Sequence, residues 1–150
     1  MRGTHAARGV PGERSNTMSD LTFSELRATS LDRTNRWNHG GIDGWSVNDW
    51  LVAMGGEAGE ALNAGKKHRR ILSGMQQHGN VPEGLEDAVD KIMEELADTV
   101  IYADLVASRL GRRLDVAIVE KFNRTSLREG FPERLPMEQP RSEAGGDDSA

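Results

Sequence analysis

The chain has 150 residues, enough for one domain, and carries 24 acidic against 19 basic side chains, a formal net charge of −5. That balance argues against general electrostatic binding of nucleic acid. With no cysteine there are no disulfides, zinc thiolates, iron–sulfur clusters or thiol chemistry, and the longest apolar runs fall far short of the ~20 residues that span a bilayer.

Residues 1–20 hold almost no large apolar side chain and lack the apolar stretch of a secretion signal. They are expected to form a disordered N-terminal arm on a soluble, cytoplasmic protein. The foldable part is 21–136, and the small, polar, acidic stretch 137–150 reads as a disordered tail.

Four helices account for the foldable part. The first is expected over Phe23 to Trp37, capped by Thr22 or Ser24, and is followed by the breaker stretch Asn38 to Gly44. The second starts at Ser46, where Ser46-x-x-Asp49 is a capping box with Asp in place of Glu, and runs to about Arg70. Residues 73–84 form a loop. The third helix spans Leu85 to Leu110, with Gly111 as its left-handed C-terminal glycine. Asp115 is expected to cap the fourth, which stops at Gly130 before Phe131-Pro132. No strand-like alternation competes, so the expected class is an all-α bundle of four to five helices.

The carboxylates on the second and third helices are unusual in their surroundings. Helical geometry places residues about 100° apart. On the second helix Val47, Leu51, Met54, Ala58 and Leu62 fall on one stripe, with Glu57 and Glu60 on its flank beside Ala53 and Ala64. On the third, Ile92, Leu96, Thr99, Ala103, Val106 and Leu110 form one stripe, Ile101 and Leu105 lie on the other side, and Glu95, Asp98 and Tyr102 run between them. A helix apolar on two sides is expected to be buried on both, in an oligomer or a tight bundle.

Packing the two helices together would bring Glu57, Glu60, Glu95 and Asp98 close enough to repel, unless a cation intervenes. Oxygen-only donors favour Mg²⁺, with Mn²⁺ the other choice, over zinc or a di-iron centre. The four acids are therefore the candidate metal ligands. A lone Glu-x-x-Glu usually marks a solvated helix face; two such pairs beside apolar stripes are more specific.

The motifs resemble a known family. Gly56-Glu57-Ala58-Gly59-Glu60-Ala61 followed by Lys66-Lys67-His68-Arg69-Arg70 is similar to the first motif of MazG-like nucleoside triphosphate pyrophosphohydrolases, and Glu94-Glu95-Leu96-Ala97-Asp98-Thr99-Val100-Ile101-Tyr102 to the second. Glu120-Lys121-Phe122-Asn123 and Gly130 to Leu135 resemble the C-terminal segment, so the likeness covers about residues 37–135. It implies an all-α homodimer or homotetramer that cleaves a nucleoside triphosphate to monophosphate and pyrophosphate with Mg²⁺. It also implies that Glu57, Glu60, Glu95 and Asp98 hold the metal. The interval between Glu60 and Glu95 is longer than in compact members, and the loop 73–84 absorbs the excess.

Substrate contacts are assigned more openly. Lys67 and Arg70, with their basic neighbours, either meet phosphates or complement the negative end of their helix. Lys121 is the candidate for phosphate and Asn123 for sugar or base. Tyr102 closes the metal row, contacts the sugar, or packs. Of Trp37, Trp45 and Trp50, Trp45 is the candidate for stacking on a base, against a core or interface role for all three. His39, alone in a Gly-rich loop, reads as solvated, and His68 and His78 have no partner at metal-ligand spacing. Two other functions stand beside this one: the related helical phosphoribosyl-ATP pyrophosphohydrolase, and a non-catalytic interaction or regulatory module with a vestigial carboxylate cluster.

Overall fold

A computed structural model of the chain describes residues 20–75 and 84–137. Apart from Asp20 and Met137, the expected arm and tail lie outside the described residues, as does most of the expected loop 73–84 together with His78. Among the described residues there are four α-helices, one 3₁₀ turn and no strand. No helix among them is long and apolar enough to cross a membrane.

Helix α1 is Phe23–Trp37. Thr22, not Ser24, caps it: the Thr22 hydroxyl accepts from Glu25 N while the Glu25 carboxylate accepts from Thr22 N at 2.9 Å, a complete capping box. The breaker stretch after it winds into a 3₁₀ turn, Gly41–Gly44. Glycine is required here. Gly41 sits at φ 59°, and a β-carbon on it would stand 2.1 Å from Asn35 Oδ1. The Asn38 side chain closes the turn by donating to the Gly41 carbonyl at 2.7 Å.

Helix α2 is Val47–Leu72, two residues longer than the sequence suggests, and Ser46 with Asp49 forms the expected box at its start. Helix α3 is Leu85–Arg109. Gly111 follows it at φ 64°, and Arg112 N donates back to the Ala107 carbonyl. Helix α4 is Leu114–Glu129, closed by Gly130 at φ 76°. Asp115 does not cap α4. The N-cap is Arg113, without a side-chain hydrogen bond, and Asp115 lies inside the first turn. Its carboxylate is held by Arg113 and by Arg27 of α1, so it faces another helix rather than its own amides.

Helices α2 and α3 form the principal packing pair. They run antiparallel, since Trp50 near the start of α2 packs with Tyr102, Leu105 and Val106 near the end of α3. The inward seam of α2 is Trp50, Met54, Glu57, Ala61 and Ala64, all buried or half-buried at helical spacing. The expected stripe is therefore rotated by about one residue: Leu51 and Leu62 are exposed. The inward face of α3 runs through Ala88, Glu95, Tyr102 and Leu105. The carboxylate row thus lies on the packing face rather than between two buried ones. Leu96 and Leu110, assigned above to a buried stripe, face outward in the single chain.

The largest side chain of the core is Trp50, which is fully buried and donates from Nε1 to the Ile42 carbonyl at 3.0 Å. Leu31, Ile42, Trp45, Ile101 and Tyr102 pack around it. Helix α1 is fastened by charge as well. Arg27 Nη2 lies 2.5 Å from Asp104 Oδ1 of α3 and 3.2 Å from Asp115 Oδ1 of α4, and Asp104 is fully buried.

Candidate metal centre

Glu57 from α2 and Glu95 and Asp98 from α3 converge between the two helices. One carboxylate oxygen from each lies within 4.8 Å of the other two. The placement follows from local sequence. Glu57 occupies an inward seam position, seven residues after Trp50 and seven before Ala64. Glu95 and Asp98 are three apart, so they share one face of α3. Large side chains fill one end of the helix pair, at Trp50, Leu105 and Val106. Small ones, Ala64 and Ala88, are buried toward the other. The carboxylates occupy the middle.

The electrostatics are those of a crowded acidic site. Burial raises the Glu57 pKa, and the charges of Asp98, Glu95 and Glu60 push it further; Lys91 acts in the opposite direction. The Glu95 side chain is only 9% exposed, and its Oε1 lies 2.8 Å from Lys91 Nζ. Thr99 leans back to donate to the Glu95 carbonyl at 2.8 Å, fastening that turn of α3. Glu60 is exposed and stands outside the group of three, although its charge reaches Glu57. Three carboxylates from two helices, with oxygens within 4.8 Å of one another, make an all-oxygen donor set of the kind hard divalent ions take.

The other expected site residues are distributed unevenly. Tyr102 follows Asp98 by four residues and is half-buried, its ring 6.2 Å from that of Trp50. Trp45 is half-buried in the aromatic cluster: its ring is 4.7 Å from Trp50 and meets Trp37 edge-on at 5.4 Å. Its carbonyl accepts from Arg109 Nε at 3.0 Å. Lys67 and Arg70 lie 10 and 13 residues beyond Glu57, about 15 and 20 Å along the axis of α2. Lys121 is on the exposed face of α4, where it lines a shallow, open hollow with Ala117, Ile118, Phe122 and Thr125. Asn123 is occupied by the chain itself: its Nδ2 donates to the Leu135 carbonyl and its Oδ1 accepts from Leu135 N, at 2.9 and 2.7 Å. That pair of bonds pins the segment after Gly130 against α4.

Sequence reasoning passed over Lys91 and the Arg27–Asp104–Asp115 group. A signal for the first existed, since Lys91 is four residues before Glu95 and the two must share a helix face. A signal for the second was Asp104 itself, an acid set against Ala103, Leu105 and Val106. No family model matches the chain, and comparison with curated proteins and with solved structures gives no match either.

Proposed function

We propose that this chain is a MazG-like nucleoside triphosphate pyrophosphohydrolase. It takes a ribo- or deoxyribonucleoside triphosphate, releases pyrophosphate and leaves the monophosphate, clearing nucleotides from the cytoplasmic pool. One observation carries the reading: three carboxylates, one of them buried, drawn from two helices to within 4.8 Å of each other. Such a group crowds like charge and favours a cation among the carboxylates, of which Lys91 meets only the Glu95 end. The ordered motifs around Glu57 and Glu95 supply the reaction class by resemblance.

Glu57, Glu95 and Asp98 would hold the ion, and an all-oxygen set suits Mg²⁺, or Mn²⁺ in its place. An ion held there would supply positive charge against the phosphates and a more acidic water as nucleophile. Glu60, exposed on the rim one turn after Glu57, orients that water and accepts its proton. Tyr102 extends the row of acids toward the Trp50 cluster and floors the sugar side. Lys67, Arg70 and Lys121 lie away from the carboxylates along α2 and α4, so their phosphate contacts need a second subunit.

A homodimer or homotetramer is therefore part of the proposal, and α3 supports it. Leu85, Val89, Met93, Leu96 and Val100 recur at intervals of three and four and are all exposed, forming an apolar stripe on the side of α3 away from α2.

Pyrophosphate release from a panel of ribo- and deoxyribonucleoside triphosphates tests the activity. Glu57→Gln, Glu60→Gln, Glu95→Gln and Asp98→Asn are each expected to reduce the rate by about a hundredfold or more. Full activity in all four refutes the site.

A further inference from the structure

Lys91 belongs to no motif considered so far, yet it reaches the buried end of the acidic group. Its Nζ lies 2.8 Å from Glu95 Oε1 and 2.9 Å from Glu94 Oε2. The two ends of the Lys91–Glu95 bridge differ sharply: the Lys91 side chain is 53% exposed and the Glu95 side chain 9%. A buried carboxylate is thus neutralised by a long arm that enters from solvent. Glu57 and Asp98 crowd the same carboxylate with like charge, and at Glu57 Lys91 is the cation opposing that repulsion.

A second positive charge entering the cluster meets a competitor. The Glu95 carboxylate that completes the group of three is the one the ammonium already holds. Among the described residues, Lys91 is tied at that end by this bond and the one to exposed Glu94, and its half-exposed arm has a path to water.

We propose that Lys91 is the resident counter-ion of the carboxylate group: it holds Glu95 in place in the metal-free chain, yields it when a divalent cation binds, and so sets the cation concentration at which the site fills. This rests on the metal reading above. Lys91 is a positioning residue, acting through Glu95. Its loss has two coupled consequences. The metal-free state loses the partner of a buried charge, and the metal-bound state loses nothing of comparable size. The affinity for the cation therefore rises when Lys91 is removed.

The test uses the full chain with Mn²⁺ alone as probe, followed by calorimetric titration and by thermal melting in EDTA and in saturating Mn²⁺. Lys91→Gln is expected to bind Mn²⁺ about two- to fivefold more tightly than wild type, the fold-change of an ion pair with one half-exposed partner. It should melt lower than wild type in EDTA, with the gap closing in Mn²⁺. Lys91→Arg should restore wild-type binding. Unchanged or weaker binding by Lys91→Gln overturns the assignment, as does a melting gap equal in both conditions, which is the behaviour of an ordinary surface ion pair. If the wild-type chain itself binds no Mn²⁺, or Glu95→Gln binds it as well as wild type, the metal reading falls with it; wild-type binding lost in Glu95→Gln but indifferent to Lys91 overturns only the role of Lys91.

Discussion

Asp104 shows how much of this fold turns on single polar side chains. It is fully buried, one oxygen is bound by Arg27 at 2.5 Å, and the other has no hydrogen-bond partner among the described residues. Removing the side chain leaves the half-buried Arg27 with Asp115 as its remaining acidic partner, so Asp104→Ala is expected to cost about 1–3 kcal/mol in urea unfolding. Glu57 poses the opposite case. Its pKa is raised first by burial and then by neighbouring acids. A carboxyl with a raised folded-state pKa contributes stability that is full below its unfolded pKa and is lost as pH rises through the folded one. Metal-free protein should accordingly lose stability as pH climbs through and just above the carboxylate range, and Glu57→Gln should remove that loss. Melting temperatures taken across this range in EDTA read the effect directly.

At the scale of elements, caps and ion pairs decide how the helices begin. The Ser46–Asp49 box fixes the first turn of α2, which carries Trp50 into the core. Ser46→Ala should cost about 1 kcal/mol, read as a lower urea midpoint with an unchanged slope. The start of α4 is held differently. Hydrogen bonding from Arg113 is the main cause that lowers the Asp115 pKa to about 2; burial works against it and Arg27 assists. The sign is that of a depressed carboxylate: the stability is present above the unfolded value near 3.8 and disappears as pH falls toward about 2. Acid titration should therefore loosen the junction of α1, α3 and α4 in that window. Asp115→Asn should be less stable at neutral pH and flatter through the acid limb, as followed by circular dichroism.

At the scale of the whole molecule, the single chain leaves too much apolar surface open. The α3 stripe from Leu85 to Val100 is exposed, as are Leu62 on α2 and Val116, Ile118 and Phe122 on α4. Helix α4 makes few contacts with α3, and its hollow beside Lys121 faces outward. If these faces join copies of the chain, light scattering of the wild-type protein should give a dimer or tetramer. Met93→Glu with Leu96→Glu should then shift it to smaller species, since a charge in such a seam loses its hydration without a partner. A wild-type monomer would remove the oligomeric part of the proposal and leave the carboxylate group intact.

The four helices were legible in the chain because their signals are local. Capping residues, helical periodicity and the glycines at 111 and 130 act within a turn or two of where they stand. The acids Glu57, Glu95 and Asp98 were legible as candidates for the same reason, being paired or spaced on one helix face among apolar neighbours. What the chain alone left open was the rotation of each helix about its axis, because several apolar stripes compete on α2 and α3 and only packing chooses between them. That choice turned Trp50 and Glu57 inward and Leu51 and Leu62 outward. It brought acids 38 and 41 residues apart in sequence into one group, set Lys91 against the buried one, and joined Arg27 to Asp104 and Asp115, because contacts between distant segments have no local signature.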